Sequence, residues 1–309
     1  MKLLITGAWK ATNEQLESVR QLGHDIVLQP QEANPLVCPA EDVEGIIGNG
    51  IFLYHPIEKF LNLRYIQLTS AGFDRVPMDY VKSHGIEIHN ARGVYSIPMA
   101  EHAVAGVLTL CRRFHEFHES KKEHKWQKIR DLEELNGKTA VILGCGSVGT
   151  ECAKRFAAFG CHVIGVDIVV RQDENYEQMI PLEQLDDCLP MADIVVLTLP
   201  LTDETRHLMN ARRLALLKDH AVVVNIARGA VVEQNSLINE LSSGRLRAVL
   251  DVFEEEPLPE DSILWKLPNV VVTPHNSFIG DGDAQRLATV ILGNLENVQL
   301  PKNDGKTIR

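Results

Sequence analysis

An α/β fold in two domains is the class this sequence predicts, and three observations carry the prediction. Apolar runs of strand length alternate with helical patterns along most of the chain, the signature of parallel sheets covered by helices. One alternation, Thr139 to Asp167 (TAVILGCGSVGTECAKRFAAFGCHVIGVD), is broken by closely spaced glycines and closed by an acid. The chain has 309 residues, 45% of them hydrophobic, which is enough for more than one core.

The glycine-bearing stretch reads as a βαβ unit that holds a dinucleotide. Gly144 makes the tight turn off the first strand, Gly146 lets the backbone approach a pyrophosphate, and Gly149 lets the helix pack close to the sheet. The anion would sit on the helix N-terminus, where unpaired N–H groups and the dipole favour negative charge. Asp167, about 20 residues on, is placed to accept hydrogen bonds from a ribose, which predicts NAD rather than NADP; Arg171 nearby is the one cation that could turn toward a 2′-phosphate.

Before this unit, strands are predicted at Lys2 to Thr6, Asp25 to Leu28, Val43 to Ile47, Tyr65 to Thr69 and Ile86 to His89, with a helix over Glu14 to Leu22. The loops Gly48-Asn49-Gly50 and Ser70-Ala71-Gly72 follow strands, where an open parallel sheet forms its ligand crevice, though either could be a plain turn. A single long helix is predicted from Ile97 to about Phe117, with Pro98 in its first turn. The polar segment after it carries His115, His118 and His124 among Lys and Glu neighbours, a solvated face rather than a metal site. Beyond Asp167, strands are predicted at Asp193 to Leu199, Ala221 to Ile226, Ala248 to Val252 and Val270 to Thr273, and a last helix from Asp283 to Val298 passes back to complete the first domain.

Composition narrows the function. A net charge of -11 opposes binding to nucleic acid or an anionic membrane, and no segment approaches the length of a membrane span. The N-terminus shows only a short apolar run before polar residues, so a cytoplasmic protein is expected. The six cysteines show no CxxC or paired zinc spacing, and neither disulfides nor a structural metal is expected.

Three polar residues stand where strands of the second half run out: Arg228 in VVVNIARGA, Glu256 in LDVFEEEP and His275 in VVVTPHNS. An Arg can clamp a carboxylate bidentately, a His can pass a proton near neutral pH, and a carboxylate beside that His can stabilise its charged form. Each has a plain alternative as a surface ion pair, a solvated acid run or a packed histidine.

With these residues in hand, the chain resembles the D-isomer-specific 2-hydroxyacid dehydrogenase family, of the phosphoglycerate dehydrogenase-like and hydroxypyruvate reductase-like kind. The resemblance covers nearly the whole chain and rests on GCGSVG with Asp167, TLPLTDETRHLMNARRLALL, VNIARGAVV, LDVFEEEPL and the TPH of Thr273 to His275, in the family's order. It implies a Rossmann dinucleotide-binding domain (97–283) inserted in a flavodoxin-like substrate, or catalytic, domain (1–96 and 284–309), and a homodimer formed through the nucleotide domain. It implies a catalytic Arg228, Glu256 and His275, with Glu256 chosen because the family's Glu directly precedes the proline, here Pro257. It further implies NAD held by Gly144, Gly146, Ser147, Val148, Gly149, Asp167, Pro200, Ile226, Ala227 and Asp251, the last near the nicotinamide carboxamide. A small 2-oxo or 2-hydroxy acid would be held by Asn49, Gly50, Ala71, Gly72 and Arg228. Asn276-Ser277-Phe278 stand where many members have small glycines, and a sequence of 309 residues is expected to leave no room for the regulatory C-terminal domain of many phosphoglycerate dehydrogenases. The same three catalytic residues occur in relatives that act as nucleotide-sensing corepressors, the rival reading from another class; formate oxidation is disfavoured because that branch has Gln where Glu256 stands.

Overall fold

A computed structural model describes residues 1–298 of the chain. These form two compact units, Met1–Val94 with the described part of Asp281–Arg309, and Tyr95–Gly280.

The first unit opens with β1 (Lys2–Thr6), α1 (Asn13–Gln21), β2 (Asp25–Gln29), β3 (Gly45–Gly48), β4 (Tyr65–Leu68), α2 (Met78–Ser83) and β5 (Glu87–His89). All pairs are parallel, in the order β2-β1-β3-β4-β5, the flavodoxin-like arrangement. Every residue of β3 (GIIG) and β4 (YIQL) is buried, as expected of central strands covered on both faces. A reciprocal cap starts α1: Thr12 Oγ1 accepts from Gln15 N at 3.2 Å and Gln15 Oε1 accepts from Thr12 N at 2.9 Å, which satisfies two otherwise unpaired donors.

The second unit begins with α3 (Ser96–Cys111), whose Ala100, Ala103, Val104, Val107 and Leu110 are buried. The single helix expected to reach Phe117 is instead two, because Arg113 adopts a left-handed backbone (φ 51°, ψ 41°) before α4 (Phe114–Lys122). The physical reason lies in where the apolar stripe ends. Past Cys111 the buried stripe stops, the Arg113 guanidinium bonds Asp131 at 2.8 Å, and α4, Phe114 and Phe117 included, has no buried residue.

The glycine-bearing unit follows as β6 (Thr139–Leu143), α5 (Ser147–Ala158) and β7 (His162–Asp167). The rest is β8 (Gln178–Pro181), α6 (Leu185–Cys188), β9 (Ile194–Leu197), α7 (Ala211–Ala215), β10 (Val222–Asn225), α8 (Gln234–Ser242), β11 (Arg247–Leu250) and β12 (Val270–Val272). Seven parallel strands order as β12-β11-β10-β9-β6-β7-β8, so the winding reverses between β6 and β9. That switch point is where an open α/β sheet places its ligand crevice. β8, QMIP, escaped the sequence reading because it is short and ends in proline, which an edge strand tolerates. Alternate residues of the sheet enter two apolar layers. Val141, Leu143, Val195, Leu197 and Val223 lie in one, and Ala140, Ile142, Ile194, Val196 and Val222 lie in the other with Cys152, Ala153 and Phe156 of α5. Each buried aliphatic side chain contributes about 1.5–3 kcal/mol to holding those layers.

The chain then returns to the first unit as α9 (Asp283–Asn297), which buries Leu287, Ala288, Ile291 and Leu295. Asn294 Nδ2 donates to Gln67 Oε1 at 2.7 Å and Arg286 Nε donates to Val94 O at 2.7 Å. The expected extension of this domain to residue 309 reaches beyond the described residues. Among the described residues no helix is long and apolar enough to cross a membrane.

Candidate active site

The turn between β6 and α5 presents backbone rather than side chains. Gly144 has φ 94°, open to glycine at no cost, and its N–H donates to Val166 O at 2.8 Å. A Cβ on Gly149 would collide with the Gly144 carbonyl oxygen, so α5 sits closer to the strand than any other residue allows. A Cβ on Gly146 would meet no heavy atom within 4 Å. Gly146 is the N-cap of α5, and it makes no side-chain cap hydrogen bond. These features fit a dinucleotide pyrophosphate, which would take the place of the missing cap. Val148 packs against the α5 side of the core.

Asp167 closes β7 beside this turn. Its Oδ2 accepts from Cys145 N at 2.6 Å and its Oδ1 from Val169 N at 3.1 Å, which fixes the carboxylate against the glycine loop. Arg171, the cation that could have welcomed a 2′-phosphate, donates to Cys145 O at 2.7 Å and to Asp173 Oδ2 at 3.2 Å. Burial would push the Asp173 carboxyl up, but hydrogen bonds from Asn175 and Arg171 hold it below the usual carboxylate range, so Arg171 has a resident counter-charge. Pro200, after β9, accepts from Thr205 Oγ1 through its carbonyl at 2.6 Å.

Arg228 lies on the turn that leaves β10. Asn225 braces that turn from both sides, its Oδ1 accepting from Ala227 N at 3.1 Å and its Nδ2 donating to Arg228 O at 3.0 Å. Ile226 and Ala227 are buried, whereas Arg228 is half-buried and its Nη1 donates to Ala227 O at 2.8 Å. Gly229 brings this turn against the acidic loop, since a Cβ there would strike the Phe253 carbonyl and the Glu254 nitrogen. Gly229→Ala is therefore expected to cost about 1–3 kcal/mol of stability in chemical denaturation, and parental stability would show that the two loops can part without penalty.

Across that contact, Glu256 and His275 meet. Glu256 Oε2 lies 2.8 Å from His275 Nδ1 and Glu256 Oε1 accepts from Phe253 N at 3.0 Å, so each carboxylate oxygen has a fixed partner. Both side chains are more than a third exposed. With Nδ1 on the carboxylate, Nε2 is the ring nitrogen left to exchange a proton with a ligand. Glu254 turns elsewhere, to His207 Nε2 at 2.8 Å. The Phe278 ring lies edge-on to His275, with centroids 6.0 Å apart and an interplanar angle of 88°.

His275 has φ 51°, a left-handed backbone that costs a non-glycine residue about 1–2 kcal/mol, and Asp251 holds it there. The main-chain oxygen of Asp251 accepts from His275 N at 2.8 Å, while its carboxylate accepts from Asn276 N at 2.8 Å and Ser277 N at 2.9 Å. Thr273 Oγ1 donates to the same carboxylate at 2.6 Å. Asp251 is fully buried. Burial alone would raise its pKa, but the donors from Ser277, Thr273 and Asn276 outweigh it and hold the carboxyl below its ordinary value. Sequence reading singled out Asp251 for the cofactor; its bracing of the His275 turn, and the parts of Asn225, Gly229 and Thr273, were missed. Polar residues at the ends of otherwise apolar strands are the signal that could have found Asn225 and Thr273.

In the first unit, the loop after β3 is held by Glu32. Its carboxylate accepts from Asn49 N at 2.7 Å, Gly50 N at 2.8 Å and Thr6 Oγ1 at 2.8 Å, and Asn49 Oδ1 is buried without a hydrogen-bond partner. In the loop after β4, the Ala71 carbonyl accepts from Asn90 Nδ2 at 2.6 Å and the Gly72 carbonyl from Ser70 Oγ at 3.1 Å.

Fold and site together define a dinucleotide-binding α/β protein with a carboxylate–histidine pair at the strand ends of its nucleotide sheet. Residues 104–277 match the family described as D-isomer specific 2-hydroxyacid dehydrogenase, NAD binding domain. The chain is 32% identical over 278 residues to the glyoxylate/hydroxypyruvate reductase B of Yersinia pestis, covering 87% of this chain and 85% of that one. It is 33% identical over 245 residues to the D-3-phosphoglycerate dehydrogenase of Methanocaldococcus jannaschii, covering 78% of this chain but 47% of that enzyme, so it spans about half the length of that relative. The crystal structure of D-lactate dehydrogenase from Aquifex aeolicus, complexed with NAD and lactic acid, superposes with a TM-score of 0.77 at 26% identity over 96% of this chain and 94% of that one. The chain belongs to the D-isomer-specific 2-hydroxyacid dehydrogenase family.

Proposed function

We propose that the protein is an NAD-dependent D-2-hydroxyacid dehydrogenase that interconverts a small D-2-hydroxy acid and its 2-oxo acid. The observation that carries this reading is the 2.8 Å contact between Glu256 and His275 beside the turn of Arg228. When bound, NADH supplies the hydride that reduces C2 of the oxo acid. Arg228 holds the substrate carboxylate and polarises the carbonyl, so that negative charge growing on the carbonyl oxygen meets a fixed cation. His275 Nε2 gives that oxygen its proton, and in the oxidative direction the neutral ring takes the proton back. Glu256 orients the imidazole through Nδ1 and balances its charge when it is protonated. Asn49, Gly50, Ala71 and Gly72 are proposed to contact the substrate and select its side chain.

The test is NADH oxidation with glyoxylate, hydroxypyruvate, pyruvate and phosphohydroxypyruvate. Turnover of at least one of them is expected, and none with any would overturn the reading. NADH is expected to outperform NADPH by about tenfold or more in kcat/KM, because a 2′-phosphate would meet the Asp167 carboxylate while Arg171 stays paired with Asp173. An NADPH value equal to or above that for NADH would remove Asp167 from its proposed role.

A homodimer is also proposed. What supports it is α4, which buries none of its residues, followed by Trp126 at 97% exposure. A cytoplasmic location fits a chain whose six cysteines are all free thiols.

A further inference from the structure

The bracing of the His275 turn does not stop at Asp251. Thr273 Oγ1 gives its only hydrogen to the Asp251 carboxylate, so toward its other neighbour it can only accept. That neighbour is the half-buried His102 Nε2, 3.1 Å away on α3, next to the buried Ala103. The shared hydroxyl fixes the direction of the whole chain: His102 Nε2–H donates to Thr273, Thr273 donates to Asp251, and the same carboxylate collects the N–H groups of Asn276 and Ser277.

We propose that His102 is a positioning residue for His275, acting through Thr273 and Asp251. This rests on His275 being the acid/base of the reaction proposed above. His102 sits on a helix packed against the sheet, so it ties the catalytic turn to a rigid element and not merely to the loop it belongs to. Without it, the Thr273 hydroxyl is held by its bond to Asp251 alone, and the carboxylate below the turn loses its tie, through that hydroxyl, to α3. The left-handed backbone at His275 then has fewer contacts holding it where an ordinary residue would not rest.

The test pairs His102→Leu, which removes the donor, with His102→Gln, whose amide nitrogen lies as many bonds from Cα as the histidine Nε2. Thr273→Val and Thr273→Ser repeat the comparison one step along the network. His102→Leu and Thr273→Val are expected to lower kcat about tenfold, since small displacements of a reacting group are costly. NADH binding and KM should stay within about twofold, with His102→Gln and Thr273→Ser recovering most of the loss. Amide hydrogen exchange at Asn276 and Ser277 is expected to quicken about tenfold in the same two impaired variants and not in the rescued ones. Exchange is read without substrate, so it decides the bracing even if the parent turns over no 2-oxo acid; in that case the reaction fails while the network stands. Parental kcat and parental exchange in His102→Leu would overturn the proposal. So would equal damage in Leu and Gln variants accompanied by lost NADH binding, because His102 would then be packing and no more.

Discussion

Arg228→Ala is expected to lower kcat/KM for a 2-oxo acid by about a thousandfold or more, since removing one charge-stabilising donor alone costs roughly 10²–10³. The substrate carboxylate loses its clamp in addition. NADH affinity should change by less than about twofold, because the side chain is assigned to substrate and the turn beneath it is held by other groups. Asn225 grips the backbone on both sides of Ala227, and Gly229 seats the turn on the acidic loop, neither of which needs the guanidinium. Steady-state rates together with a fluorescence titration of NADH separate the two effects. A variant that keeps parental turnover would make Arg228 a structural residue and move the anion site elsewhere.

His275→Asn is expected to reduce kcat about 10²- to 10⁴-fold in both directions, the usual contribution of a positioned acid or base. Asparagine is the substitution to choose. At φ 51° alanine would add backbone strain, whereas asparagine tolerates the left-handed region and leaves the Asp251 contacts to Asn276 and Ser277 intact. It does not titrate, so the part of the pH–rate profile that belongs to the imidazole should vanish as well. A variant with a parental pH profile at reduced rate would point to a different acid, and His207, paired with Glu254 on the neighbouring loop, would be examined next.

How much of this was legible depends on how local each feature is. Central strands such as β9 (IVVL) and β10 (VVVN) announce themselves, because a parallel strand covered on both faces is apolar along most of its length. The glycine turn is equally plain, since its geometry is written in residues a few positions apart. The helix break at Arg113 was not, because it follows from the end of burial and from a partner, Asp131, in a different segment. The same holds for Glu32 and the loop of Asn49 and Gly50, and for His102 and Thr273: their bonds join residues far apart in the chain, and nothing at either end marks the other. The pairing of Glu256 with His275 is intermediate. The residue types limited the choice, but three consecutive acids precede Pro257, and only the structure shows Glu254 turning to His207 while Glu256 faces His275.

The return of the chain as α9 has a consequence for the order in which the protein is made. The first unit's strands emerge early from the ribosome, yet the helix that buries Leu287, Ile291 and Leu295 and bonds Gln67 and Val94 is synthesised only after the whole of Tyr95–Gly280. The unit containing the nucleotide sheet is contiguous and can fold as it emerges. The unit that starts first must wait with an apolar face uncovered, and it closes last, through contacts separated by most of the chain. The segment made first is thus the one completed last, and Met1–Val94 is the part of the nascent chain with the longest exposure to aggregation or to a chaperone.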